Sequence, residues 1–324
     1  MRGFVVFAGI SIATGCSGGG SSDGDGLGPG DAADASAPVD TGGVGTDTST
    51  GFDVAKTDAE SGPACVPPDM LIALDRTLTM HFDPTGVNPT DAPDYKTSKW
   101  YQAISAIKAL AAPPLDGTIR FGLELWPKEE PGCITLTQRV TDSASATNPS
   151  CETGEVLVSP QLAAGAKIGV FLDPAKTKIC TSTPTGQALI LGADTLTAMK
   201  EAGRDQYLVL VTDGADWDFS CPTPSPLDVT AANAAKGIKT FVVGFSATAD
   251  LGPSGVGTAF LNDMACAGGT AKDPTKNCKS DGKGGQVAVD SKSGPTLFFA
   301  AQDATALATA LATAAKAICC DCVR

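Results

Sequence analysis

The chain has 324 residues, 42% of them hydrophobic, with 36 acidic residues against 23 basic ones, a formal charge of −13 and one histidine. Its length accommodates one large or two small domains. The lone histidine, His81, leaves a single possible base for a Ser-His-Asp or Cys-His relay, and the acidic balance without a basic patch or a Gly-rich phosphate loop argues against nucleic acid as a partner.

Residues 2 to 16, RGFVVFAGISIATGC, give one arginine, a short apolar run and small residues ending at Cys16, the pattern of an export signal. The run is too short for a spanning helix. Its end, Ala13-Thr14-Gly15-Cys16, resembles the lipobox of bacterial lipoproteins, with Ala13 where leucine is usual. That resemblance implies cleavage before Cys16 and a lipid on the new N-terminal cysteine. Residues 17 to 62 are Gly, Ser, Asp, Ala and Thr with almost nothing large, and their nine acids and one lysine carry most of the net charge. Such a segment cannot bury enough apolar surface to offset the entropy of ordering it, so a disordered acidic tether is expected, with a reach of about 35–40 Å.

The folded domain is expected over residues 63–324, with an insertion around 128–182. Met70 to Leu74 reads as a strand, and Ser98 to Leu110 has apolar residues at helical spacing. Thr118 to Trp126 alternates Ile119, Phe121, Leu123 and Leu125, as a strand does, and Pro127 ends it. Within the insertion, EVLVS from Glu155 is a candidate strand and Gln161 to Asp173 a candidate helix. Beyond it the pattern predicts a helix over Gln187 to Ala202, a strand over Tyr207 to Thr212, a helix over Val229 to Lys236 and a strand over Thr240 to Phe245. A helix over Thr258 to Cys266, a short strand over Leu297 to Ala300 and a closing helix over Asp303 to Ile318 complete it. Alternating strands and helices, with continuously apolar strands, indicate an α/β fold: a doubly wound, mostly parallel central sheet flanked by helices.

Ligands bind beyond the carboxyl ends of the strands in such sheets. Three segments should meet there: Asp75-Arg76-Thr77-Leu78-Thr79, Thr183-Pro184-Thr185-Gly186 and Thr212-Asp213-Gly214. Their carboxylates and hydroxyls are hard oxygen donors, suited to Mg²⁺, Mn²⁺ or Ca²⁺ and not to zinc or copper. An Asp-x-Thr-x-Thr after strand one, a Thr before a helix and an Asp-Gly after a central strand resemble the metal-ion-dependent adhesion site of von Willebrand factor type A domains. FLNDMACAGGT at 260 to 270 is similar to that family's late helix and turn. In this chain both of the family's motif serines are threonines, and Cys180-Thr181-Ser182 stands where the family has glycines. The resemblance implies Asp75, Thr77, Thr79, Thr183 and Asp213 as ligands of a divalent cation, foremost Mg²⁺, directly or through water. It also implies an exported adhesion module whose partner, an extracellular or envelope protein, offers a carboxylate. Trp217 and Phe219, just beyond Asp213, are candidate ligand contacts, since aromatics dominate interface energetics.

Two other readings share these residues. Asp75 followed by Thr79 also resembles haloacid-dehalogenase-like phosphatases, in which Asp75 would be a nucleophile; those enzymes commonly carry an acid where this chain has Thr77. A purely structural envelope module is the third. His81 is expected to be a solvated loop residue. The expected location is the bacterial cell envelope, through a lipid anchor only, or the exterior.

Of eleven cysteines, the ten after Cys16 form an even set, which in an exported chain argues for disulfides. Cys65 precedes strand one at the sheet's amino edge, where the closing helix delivers Cys319, Cys320 and Cys322, so one of these should pair with it. Cys180 with Cys221, Cys133 with Cys151, and Cys266 with Cys278 are the remaining choices.

Overall fold

The computed structural model describes residues 66–87, 92–131, 133–135, 153–180, 182–214, 224–245 and 256–318. Strand β1 (Asp69–Asp75) leads through a 3-10 turn (Leu78–His81) and a second 3-10 segment (Ala92–Thr97) into helix α1 (Lys99–Leu110) and β2 (Arg120–Trp126). Then come β3 (Ile134–Thr135), β4 (Glu155–Gln161), α2 (Gly165–Phe171), β5 (Lys178–Ile179), α3 (Thr185–Ala198) and β6 (Gln206–Thr212). The rest is α4 (Pro226–Ala235), β7 (Ile238–Phe245), α5 (Val256–Ala267), α6 (Pro274–Asn277), β8 (Cys278–Ser280), β9 (Gln286–Ala288), β10 (Phe299–Ala301) and α7 (Ala304–Ile318).

The central sheet has six strands in the order β10-β7-β6-β1-β2-β4. All neighbours are parallel except β4, which runs antiparallel to β2 at the edge. Every residue of β1 and β6 is buried, because helices cover both faces. Met70, Ile72 and Leu74 pack with Trp100, Ile104 and Ile107 of α1 and Leu307 and Leu311 of α7. Leu71 and Ala73 point the other way, against Ala188, Leu189 and Leu196 of α3, Val229 of α4 and Leu261 and Met264 of α5. Each such Leu, Ile or Met contributes about 1.5–3 kcal/mol by leaving water, so register is fixed twice, once per face. The expected doubly wound α/β class is therefore what the chain forms. From β1 the order grows to β2 on one side and to β6 on the other, which makes the β1–β6 crevice the switch point of the sheet.

Local chemistry sets the helix starts. Ser98 caps α1, its Oγ accepting from Tyr101 N–H at 3.1 Å; Ser225 caps α4 ahead of Pro226 in the same way. The Asp303 carboxylate accepts from Ala306 N–H at 2.8 Å at the start of α7. The β8–β9 hairpin was absent from the sequence expectation; its polar strands carry no alternation, and its turn depends on left-handed Gly282 (φ 75°) and Gly284 (φ 101°).

Two pairings of cysteines differ from expectation. Cys266 bonds Cys278, as the local spacing suggested. Cys133, however, bonds Cys180, with Cα atoms 4.4 Å apart, in place of the expected Cys133–Cys151 and Cys180–Cys221 pairs. The reason is the register of β3 on β5: Ile134 lies opposite Ile179, so the adjoining residues 133 and 180 face each other. Cys16, Cys65, Cys151, Cys221, Cys319, Cys320 and Cys322 lie outside the described residues, as do the leader, the tether, Trp217 and Phe219. Among the described residues, no helix is long and apolar enough to cross a membrane.

Candidate functional site

Asp75 closes β1 at the switch point, with no exposure to solvent. Its two oxygens are held separately. Oδ1 accepts the Thr77 N–H at 2.7 Å, and Oδ2 accepts the Thr212 hydroxyl at 2.7 Å from the end of β6. The first bond bends the chain out of the strand, and the 3-10 turn that follows lifts Thr79 to the surface while turning Met80 and His81 inward. His81, expected to be solvated, is thus buried, because the segment after β1 is a helical turn packed on the domain and not an open loop.

Thr77 and Thr79 bring their hydroxyls within 3.2 Å of each other, and Thr79 Oγ1 donates to Asp213 Oδ1 at 2.9 Å. Asp213, one residue past β6, is 3% exposed. Its other oxygen, Oδ2, accepts from the ammonium of Lys99, which is 4% exposed. Asp75, Thr77, Thr79, Thr212, Asp213 and Lys99 therefore form one hydrogen-bonded set, open to water at Thr79.

Thr183 has no hydrogen bond to this set among the described residues; the segment just before it is what pairs with the end of β1. Cys180 N–H donates to Arg76 O at 2.8 Å, Thr77 and Cys180 form a parallel bridge, and the Cys133 disulfide holds the far side of Cys180. Ser182 then takes φ 72°, the left-handed region that favours glycine. The glycine conformation is retained here without the glycine. Thr183 follows, half-buried, its carbonyl accepting Thr185 N–H at 2.8 Å as α3 begins. Arg76, between the site residues, points away: its Nε donates to Pro127 O at 2.5 Å and its guanidinium to Glu155 at 2.8 Å. It ties the end of β1 to β4.

Electrostatically the edge is short of positive charge. Burial pushes the Asp75 carboxyl up to about 7, the Asp213 charge adds to that, and the Thr212 and Thr77 bonds oppose it. Among the described residues, no group of three or more His, Cys, Asp or Glu side chains converges, so a cation here must draw on hydroxyls. Two carboxylates with the hydroxyls of Thr77 and Thr79 are hard oxygen donors of a kind that fits Mg²⁺ or Mn²⁺. Lys99 is the member that sequence reasoning missed. One signal was present: a lysine at the first position of a helix sits where the dipole disfavours cations, so it needs a carboxylate close by.

Residues 171–279 match the von Willebrand factor type A domain family, a span that includes Thr183 and Asp213. No curated protein matches the chain in sequence at a significant level. Among solved structures it is similar to an aerotolerance-related membrane protein of Bacteroides fragilis, at 18% identity and TM-score 0.36 over 55% of this chain and 67% of that one. The pilus adhesin SpaC of Lactobacillus rhamnosus GG is similar at 12% identity and TM-score 0.48 over 79% of this chain, which spans 30% of the adhesin. Manganese-loaded TRAP of Plasmodium vivax is similar at 14% identity and TM-score 0.35, over 55% and 57% of the two chains. The family match is confined to residues 171–279, and the mostly parallel six-stranded sheet is the doubly wound α/β arrangement consistent with it.

Proposed function

We propose that this protein is an exported, envelope-anchored von Willebrand factor type A domain that binds an extracellular or envelope protein through a divalent cation. Asp75, Thr77, Thr79, Thr183 and Asp213 would hold the ion, Mg²⁺ before Mn²⁺ or Ca²⁺. When bound, the ion supplies a coordination position for a carboxylate oxygen of the partner. The observation that carries this reading is the meeting of Asp75, Thr77, Thr79 and Asp213 in one hydrogen-bonded set at the switch point. Export and lipidation at Cys16, with a tether over residues 17 to 62, rest on the sequence pattern, and such a tether would hold the domain clear of the membrane.

The phosphatase alternative asks Asp75 to attack phosphorus. A nucleophile must be reachable, and Asp75 is fully buried with both oxygens already accepting hydrogen bonds. We therefore assign Asp75 to orienting and charge, with no catalytic role. An array of carboxylate-bearing peptides, probed with the full chain in Mg²⁺ and in chelator, tests the proposal. Retention only with Mg²⁺, lost in Asp75→Ala, is expected. Hydrolysis of para-nitrophenyl phosphate that disappears in Asp75→Ala would favour the enzyme instead.

A further inference from the structure

The ammonium of Lys99 stands where the proposed cation site needs positive charge. Its backbone is fixed, with Lys99 N–H donating to Phe82 O at 2.8 Å at the start of α1, and its side chain runs inward to Asp213. Nothing about that position favours a cation except the carboxylate: the helix N-terminus repels it and burial desolvates it. Among the described residues each Asp213 oxygen accepts from one donor, Oδ2 from Lys99 and Oδ1 from Thr79. A divalent ion would need Thr79 to turn its lone pairs toward it and would place a double charge next to a buried ammonium. Two carboxylates balance the ion alone, whereas ion and ammonium together leave an excess positive charge out of water. The two cations are alternatives.

A place for the displaced ammonium lies close by. Asp83, in the loop between Thr79 and α1, is half-buried and accepts from Thr85 N–H, Thr85 Oγ1 and Val87 N–H at 2.8, 2.7 and 2.9 Å. Burial raises its carboxyl, but the bonds from Thr85 and Val87 and the charge of Lys99 outweigh it and hold Asp83 below the usual range. The flexible four-carbon stem of lysine lets the head move while the backbone stays fixed.

We propose that Lys99 is a built-in competitor of the divalent cation: its ammonium occupies Asp213 in the cation-free protein and is expelled toward Asp83 when the ion binds. This rests on the cation site proposed above and adds a threshold to it. The site would fill only at ion concentrations that outcompete a tethered charge, and filling it would remodel the loop from Phe82 to Val87 beside the ligand-binding edge.

The test is Mn²⁺ binding by the full chain and by Lys99→Met, which keeps the length of the side chain and removes the charge. Binding at least about tenfold tighter in Lys99→Met, including the case in which only the variant binds, supports competition. Equal or weaker binding in the variant, with the wild type binding, overturns it and leaves the cation site standing. Absence of binding in both folded proteins sinks the cation reading and this inference with it. A second measurement needs no charge-removing variant. In lysine-¹⁵N-labelled protein one slowly exchanging ammonium signal, absent in Lys99→Arg, should vanish on saturation with Mg²⁺; its persistence in the saturated protein would overturn the proposal.

Discussion

Asp75 and Glu124 lie on adjacent parallel strands, both with no exposure to solvent, and the domain treats them in opposite ways. Each oxygen of Asp75 accepts a hydrogen bond, and Asp213, Lys99 and three threonines surround it in one connected set. Glu124 lies opposite Ala73, facing α3, and among the described residues neither of its oxygens has a hydrogen-bond partner. The space for it comes from glycine: a Cβ on Gly154 would lie 2.7 Å from Oε1, and one on Gly192 would lie 3.0 Å from Oε2. Burial alone raises the Glu124 carboxyl well above its ordinary range, which favours its neutral form. Burial raises Asp75 as well, but donors on both oxygens oppose the rise and keep that carboxyl close to the point of ionising. Partners, more than depth, separate a carboxylate available to a cation from one stored as a neutral group.

The strongest way to break this comparison is Asp213→Ala. Removing one half of a buried pair strands the Lys99 ammonium, and a loss of about 3–5 kcal/mol is expected in urea melts. A change under 1 kcal/mol would mean that Lys99 and Asp213 are not paired in solution. Thr212→Val removes the donor to Asp75 Oδ2 and should cost about 1.5–3 kcal/mol, the worth of a hydrogen bond to a charged group. At Glu124 the sign reverses. Glu124→Met replaces an unpartnered buried carboxyl with an apolar chain of similar length and should stabilise by about 1–3 kcal/mol at neutral pH.

The pH dependence separates the same two regions. A raised folded-state value means that the folded protein holds the Glu124 proton more tightly than the unfolded chain, so this contribution is complete below the ordinary glutamate range. It is lost as pH climbs from there toward the folded value. Glu124→Gln should flatten the decline in stability above about pH 4.3, the ordinary glutamate value. Denaturant midpoints compared at acidic and neutral pH read this directly, and an unchanged slope would contradict the assignment. The smallest effect is expected at Ser182, where Ser182→Gly relieves a left-handed backbone and should add about 0.5–1 kcal/mol.

Much of the site was legible because its residues stand at strand ends. The apolar run into Asp75 and the run into Asp213 each announce where the chain leaves the sheet, and the parallel topology then requires both ends to meet. Lys99 was not legible as a site residue, since its partner is more than a hundred positions away and its own helix reads as an ordinary amphipathic segment. Glu124 was hidden by alternation. In RFGLELW Phe121, Leu123 and Leu125 mark one face, and only the cover of α3 on the other face shows that Glu124 is buried too. The Cys133–Cys180 bond depends on two strands of two residues each, too short to carry any periodicity.

The central claim is that the carboxyl ends of β1 and β6 form one cation site. Calorimetric titration of the full chain with Mn²⁺, alongside Asp75→Ala and Asp213→Asn, tests it most directly. One ion bound per chain, with binding lost in both variants, is the predicted result; no binding by either the wild type or Lys99→Met, or binding unaltered in Asp213→Asn, would contradict it.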